Sequence, residues 1–235
     1  MVVVNSRAGQ RSNRLITIAQ AMGAAIEQGE MLRLTAFDGF KADYECAVTW
    51  GGRVVMRDSR MWEFVRLALA AVNRLCPRFV VRVPGILTIA ASWHYQDKVA
   101  FRKHRDKIRG FFRPVERLRP KLERSANEIV VGVHVRRGDY KEFAGGRYYY
   151  EDEVYERNKA AIVRQLSGLG KSIRFIMFPL VSAVEDQWLM SQCDYLMGPP
   201  STFSMWASFM GRVPLAQITD CNQTISLSDF KPMWE

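Results

Sequence analysis

The chain has 235 residues, of which 48% are hydrophobic and 25% are charged. These values suit one large α/β domain or two small ones with an ordinary hydrophobic core, and they exclude a disordered chain. The formal net charge of +10 predicts an acidic partner: a nucleotide, a nucleic acid or an anionic membrane surface.

Cysteine usage and hydropathy indicate a cytoplasmic protein. The four cysteines, at positions 46, 76, 193 and 221, show no C-x-x-C spacing, which is typical of reduced, packed thiols. No stretch approaches the roughly 20 apolar residues of a membrane-spanning helix. The first residues also lack the basic and then apolar pattern of a signal peptide.

The beginning of the chain predicts a strand, a loop, a helix and a second strand. An apolar start and a polar loop that contains Gly9 precede a helical segment over 14–28, which Ser12 or Asn13 would cap. The second strand is expected over 31–36. This order is typical of the first unit of a nucleotide-binding sheet, although the loop has neither the G-x-G-x-x-G nor the P-loop sequence.

The stretch between 37 and 100 gives fewer regular signals. It is rich in turn residues to about position 60, and the apolar spacing that follows predicts a helix over 61–75. Residues 77–91 predict one or two strands interrupted at Pro84 and Gly85.

A strongly basic segment covers residues 101–124. It holds ten lysines or arginines and three acidic residues, a net charge of +7, and its apolar residues recur at helical spacing. We expect an amphipathic helical region broken by Pro114 and Pro120. Three interpretations are open: a solvated helix between domains, a patch that contacts a membrane surface, or a nucleic-acid surface. No RRM, KH or zinc-finger pattern supports the last, so nucleic acid is the least favoured partner.

The second half of the chain alternates strands and helices with short connections. Such an alternation predicts a parallel sheet covered by helices. We place the domain boundary so that residues 1–125 form one α/β domain and 126–235 a compact second one. The expected strands are 129–135, 173–178, 195–197 and 213–218, and the expected helices are 152–168, 184–192 and a third that ends at Met210.

Two adjacent arginines follow the first strand of this second half. The apolar run 129–135 ends at Arg136 and Arg137, and Asp139 comes three residues after the first of them. Because ligands of open α/β sheets bind outside the carboxyl ends of the strands, this strand presents two fixed positive charges to an anion. Asp139 is placed to orient one guanidinium group or to bind a ligand hydroxyl. The pattern predicts a phosphate-bearing substrate.

A second anion site is predicted at Ser201-Thr202-Phe203-Ser204. This segment follows a strand and opens a helix, where hydroxyl groups and unpaired backbone N–H groups together bind phosphate oxygens. Ordinary helix capping by Ser201 is the alternative interpretation.

These residues also carry a resemblance to a known family. His134-x-Arg136-Arg137-x-Asp139 resembles the H-x-R-R-x-D motif of α-1,2-, α-1,6- and O-fucosyltransferases, and most of all that of the α-1,2 family. The stretch 189–208 is similar to the second signature of that family, and the loop 9–15 resembles the loop that opens its enzymes. The resemblance implies a GT-B-like fold, in which two Rossmann-type parallel-sheet domains face a cleft and the C-terminal one binds the nucleotide-sugar.

The same resemblance implies a function and roles for the motif residues. The chain would be an inverting, metal-independent glycosyltransferase that moves fucose from GDP-fucose to the hydroxyl of a glycan or lipid-linked sugar. Arg136 would stabilise the β-phosphate, and Arg137 would assist it or anchor the strand end. Asp139 would bind the donor or fix Arg136, and His134 would contact the base or pack in the core. Further donor contacts are expected from Gly9, Asn13, Arg14, Ser201, Thr202 and Ser204.

Three further expectations complete this interpretation. No metal or cofactor is expected, because the sequence has no D-x-D motif and the arginines supply the positive charge. For the base that activates the acceptor hydroxyl, Asp38 and Asp43 are alternatives to Asp139. The connection 178–188 is shorter than in the family, where an acidic turn follows the strand. We expect this difference to affect recognition of the base and the ribose more than binding of the phosphates.

A non-enzymatic function is the alternative hypothesis. In that case the protein is a basic module that binds nucleic acid or an anionic membrane through 101–124, with a steep dependence on salt and no response to GDP.

Overall fold

The computed structural model describes residues 2–4, 10–34, 41–46, 54–55, 81–83, 87–90 and 97–234. Gly9, Asp38, Cys76 and the helix predicted over 61–75 lie outside the described residues. The chain divides into two compact units, Met1–Val115 and Glu116–Glu235. None of the helices within the described ranges is long and apolar enough to cross a membrane.

In the described part of the first unit, one sheet contains β1 (Val2–Val4), β2 (Leu32–Leu34), β3 (Val54–Val55), β4 (Val81–Val83) and β5 (Leu87–Ala90), in the order β3-β2-β1-β5-β4. Neighbouring strands are parallel except for β4 and β5, which are antiparallel. Helix α1 (Arg11–Glu27) connects β1 to β2, so the predicted strand, helix and strand are confirmed.

Helix α1 begins three residues earlier than the sequence predicts. Gln10 precedes its first turn and makes no side-chain capping bond, while Ser12 is buried inside the helix. The predicted cap at Ser12 or Asn13 is therefore wrong. Burial of Ser12 and of every residue from 15 to 25 outweighs the local capping preference of a serine.

Only the first part of the basic segment is helical. Helices α2 (Lys98–Lys103) and α3 (Arg105–Phe111) end before Pro114, and a single 3₁₀ turn at Glu116–Leu118 follows. Residues 119–125 have no regular structure, because Pro114 and Pro120 each lack the N–H that a continuing helix needs. The predicted apolar face is confirmed within α2 and α3, where Phe101, Ile108 and Phe111 are fully buried.

The second unit contains the predicted parallel sheet. Its strands run in the order β7-β6-β8-β9, and every neighbouring pair is parallel. All seven predicted elements are present. The strands are β6 (Glu128–His134), β7 (Ser172–Phe178), β8 (Tyr195–Gly198) and β9 (Leu215–Gln217), and the helices are α4 (Asp152–Leu166), α5 (Ala183–Met190) and α6 (Thr202–Gly211).

Helices cover both faces of this sheet. Val131 and Val133 of β6 pack in one core cluster with residues of α4, and Val130 packs in another with residues of α5 and α6. Both faces of β6 are buried, which explains why its sequence is almost continuously apolar. The unit therefore has the doubly wound, Rossmann-type arrangement that the sequence predicts.

The strand order creates a crevice at the carboxyl ends of the two central strands, β6 and β8. From β6 the chain passes to β7 on one side and then to β8 on the other side of β6. The connections that leave β6 and β8 therefore diverge to opposite faces, which makes this a topological switch point. Ligands of such sheets bind outside the carboxyl ends of these strands, and the arginine motif follows β6 there.

Candidate active site

A cavity of about 500 Å³ opens at the carboxyl ends of the strands of the second unit. Its walls come from the segment after β6, from the segment after β7 and from the first turn of α6. The lining residues are His134, Val135, Arg136, Arg137, Asp139, Pro179, Val181, Ala183, Asp186 and Phe203. The four motif residues predicted from the sequence are thus brought together in one cavity.

Arg136 is held by two neighbours that follow it in the chain. Its Nε and Nη2 atoms donate to the two carboxylate oxygens of Asp139 over 3.1 and 2.9 Å. The guanidinium carbon lies 4.9 Å from the centre of the Tyr140 ring, within the range of a cation–π contact. Asp139 therefore fixes the plane of the guanidinium group and Tyr140 covers one of its faces.

Arg137 points to a different partner. Its Nη2 donates to the carboxylate of Asp152, in the first turn of α4, and both side chains are largely exposed. This ion pair is the kind of contact expected if Arg137 anchors the strand end, and both roles considered for Arg137 stay predictions. Arg137 also lines the cavity, so the two roles are compatible.

His134 forms a buried part of the cavity wall. Its ring stacks on Phe203 with 5.0 Å between the ring centres, and the residue is 3% exposed. The Nδ1 atom is buried without a hydrogen-bond partner among the described residues. Burial, reinforced by the charge of Arg136, lowers the pKa of His134 to about 3. The imidazole is therefore neutral at physiological pH.

The depressed pKa of His134 predicts a loss of stability in acid. The unfolded chain takes up the proton at about pH 6.5, and the folded protein does so only near pH 3. Between these values the free energy of unfolding should fall by up to about 1.4 kcal/mol per pH unit through this residue. Urea titrations at about pH 7, 5.5 and 4.5 measure the fall. His134→Gln should lose less stability over the same interval, and equal slopes for the two proteins would contradict the prediction.

The short connection after β7 is an ordered wall of the cavity. The carboxylate of Asp186 accepts hydrogen bonds from the backbone N–H of Leu180 at 3.0 Å and of Val181 at 3.0 Å. Ser182 caps α5 by accepting from the N–H of Glu185. Leu180 and Val181 present exposed apolar side chains. Asp186 was not among the site residues predicted from the sequence, where its signal was an acidic residue four positions after the cap Ser182.

The serine-rich segment at the start of α6 acts first as a helix cap. The hydroxyl of Ser201 accepts from the N–H of Phe203 at 3.2 Å, and the buried hydroxyl of Ser204 donates to the carbonyl of Ser201 at 3.1 Å. Phe203 lines the cavity, whereas Ser201, Thr202 and Ser204 are not among the described lining residues. Their predicted role in phosphate binding stays a prediction.

The remaining predicted donor residues belong to the first unit. Asn13 and Arg14 lie in the first turn of α1, where the carbonyl of Asn13 accepts from the hydroxyl of Thr17. Asp43, one of the suggested bases, accepts a hydrogen bond from Arg11 at 2.5 Å. Within the described ranges, no group of three or more His, Cys, Asp or Glu side chains is arranged to bind a metal ion.

Comparison with solved structures relates this fold to fucosyltransferases. The fucosyltransferase NodZ from Bradyrhizobium superposes with a TM-score of 0.57 at 15% identity, covering 92% of this chain and 95% of that one. A mutant of Arabidopsis thaliana FUT1 in complex with GDP gives a TM-score of 0.58 at 12% identity, covering 98% and 73%. NodZ α-1,6-fucosyltransferase co-crystallised with GDP gives 0.55 at 14%, covering 92% and 94%.

No protein-family model matches the chain, and no curated protein matches it. The chain therefore shares the fold of these fucosyltransferases at low sequence identity.

Proposed function

We propose that the protein is a GT-B-like glycosyltransferase that takes a GDP-sugar, GDP-fucose, as its donor. The observation that carries the proposal is the position of Arg136, which Asp139 holds at a cavity on the switch point of a Rossmann-type sheet. The fold shared with fucosyltransferases, two of them solved with GDP, supports the same class of donor. The acceptor is the hydroxyl of a glycan or a lipid-linked sugar.

The arginine supplies the charge that this chemistry needs. When the bond between the sugar C1 and the β-phosphate oxygen breaks, negative charge accumulates on the diphosphate, and a fixed cation lowers the energy of that state. Arg136 is the residue proposed to bind the β-phosphate, and no metal ion is required for this role. The backbone N–H groups at the start of α6 are proposed as the second anion contact.

The proposed transfer inverts the configuration at C1. An acceptor oxygen bonds to C1 from the face opposite the diphosphate, GDP leaves with the bonding electron pair, and the acceptor proton passes to a base. Asp139 accepts two hydrogen bonds from Arg136, so we assign it an orienting role. Asp38 and Asp43 are retained as the proposed alternatives for the base.

The apolar part of the cavity is proposed to hold the nucleoside. Pro179 and Val181 on one wall and Phe203 on another offer apolar surface to the flat base. His134, whose ring stacks on Phe203, contributes to the same wall and is the residue proposed to contact the base. In this proposal, the loop whose backbone N–H groups at Leu180 and Val181 donate to Asp186 takes the place of the acidic turn of the fucosyltransferases.

A panel of nucleotides tests the proposed function. We expect GDP to raise the melting temperature, because a ligand at about 100 times its dissociation constant stabilises the folded state by about 2.7 kcal/mol. UDP, CMP and ADP at the same concentration should raise it less. Thermal shift measures each effect, with a single-stranded oligonucleotide in parallel. Stabilisation by the oligonucleotide and not by GDP would favour the non-enzymatic alternative and refute the proposal.

A further inference from the structure

Two loops at the carboxyl edge of the second sheet are connected by one tyrosine. Tyr140 follows β6, and its hydroxyl donates a hydrogen bond of 2.7 Å to the carbonyl of Pro200, in the segment between β8 and α6. The tyrosine is 7% exposed, so this bond lies in a packed environment. It connects the segment that carries Arg136 to the segment that opens α6, although 60 residues separate the two partners in sequence.

The ring of Tyr140 also determines where Arg136 can lie. The guanidinium carbon of Arg136 is 4.9 Å from the ring centre, and Phe143 stacks on the same ring with 5.1 Å between the centres. Phe143 is itself largely exposed and has a second ring neighbour, Tyr148, at 6.5 Å. The ring is therefore restrained by Phe143 and by the hydrogen bond of its own hydroxyl. A restrained ring in turn fixes the position of the guanidinium group that packs against it.

We propose that Tyr140 is a positioning residue that joins the two loops into one diphosphate site. It sets the distance between the guanidinium group of Arg136 and the N-terminus of α6, so that both reach the same pair of phosphates. This inference rests on the proposed function, since it assigns a geometric role within the proposed GDP site. Tyr140 has no part in the bond-breaking step and acts only through Arg136 and the segment at Pro200.

The hydrogen bond of Tyr140 can be removed while its ring contact with Arg136 is kept. Tyr140→Phe keeps the ring beneath Arg136 and removes only the hydrogen bond to Pro200. Tyr140→Leu removes both contacts. Tyr149, which is partly buried later in the same loop, provides the matched control in Tyr149→Phe.

The ratio of the affinities for GDP and GMP is the informative measurement. Both nucleotides share the base, the ribose and the α-phosphate, and only GDP reaches the position assigned to the β-phosphate. We expect the ratio to fall about threefold in Tyr140→Phe and about tenfold or more in Tyr140→Leu, while GMP affinity changes less than about twofold. Calorimetry, with competition for the weaker ligand, gives both constants, and melting temperatures verify folding. Tyr149→Phe should keep the wild-type ratio.

The outcomes separate this inference from the proposed function. If wild type binds GDP but both Tyr140 variants keep its ratio, or lose GDP and GMP affinity equally, the positioning role is refuted and the proposed function stands. If wild type binds neither nucleotide, the proposed function fails and this inference fails with it. Should Tyr140→Leu not fold, Tyr140→Phe decides alone.

Discussion

Arg136→Ala is expected to lower the turnover of GDP-fucose by at least about 100-fold and to weaken GDP binding to a similar extent. Removing one preorganised donor from the charge that develops in a transition state costs about 2.7 to 4 kcal/mol in enzymes. The loss for Arg136→Ala should lie at the upper end of this range, because the variant also leaves the carboxylate of Asp139 without its partner beside the proposed diphosphate position. Release of GDP and calorimetric titration measure the two effects.

Two comparisons make the result for Arg136 specific. Arg136→Lys keeps the charge but loses the bidentate, planar contact with Asp139, so it should restore only part of the activity. Arg164→Ala, on the exposed side of α4 and away from the cavity lining, should behave as wild type. Full activity of Arg136→Ala, with a melting temperature near that of wild type, would refute the donor site.

Gly198→Ala is expected to destabilise the second unit by about 3 kcal/mol, as overpacking of a well-packed core does. A Cβ atom at Gly198 would lie 2.4 Å from the carbonyl oxygen of His134, so the ends of β8 and β6 would have to separate. Backbone is the obstacle, and it cannot move aside as a flexible side chain can. Because His134 lines the cavity, the fraction that still folds should also bind GDP more weakly.

Gly168→Ala is the matched control for this substitution. Nothing lies within 4 Å of the Cβ position at Gly168, so its free energy of unfolding should stay within about 0.5 kcal/mol of wild type. Urea titrations of the two variants measure the difference. A midpoint for Gly198→Ala equal to that of wild type would show that the two strand ends are not in close contact.

The second half of the fold was predictable because its sequence signals agree with one another. The strands β6 and β8 are short apolar runs, Ser182 and Ser201 cap the helices that follow, and each connection is short. Such local patterns specify the elements and the parallel sheet. They do not specify that β8 lies on the far side of β6 from β7, since strand order depends on packing between distant segments.

The site was predicted in part for the same reason. His134, Arg136, Arg137 and Asp139 are adjacent in sequence, so one strand end delivers them together. The contact of Tyr140 with Pro200 depends on how the chain turns in three dimensions, and the motif contains no signal for it. The contact of Asp186 with the loop before it had only a weak signal, its position four residues after the cap Ser182. Helix α1 shows the opposite case, in which burial of Ser12 overrode a capping signal that was present.

The restraint of Arg136 has a consequence for the entropy of ligand binding. An arginine side chain that is free to rotate loses about 2 kcal/mol of rotamer entropy when a ligand immobilises it. Asp139 and Tyr140 have already imposed most of that ordering during folding. A diphosphate that contacts this guanidinium group therefore meets a rigid receptor, and the conformational entropy lost by Arg136 on association should be small.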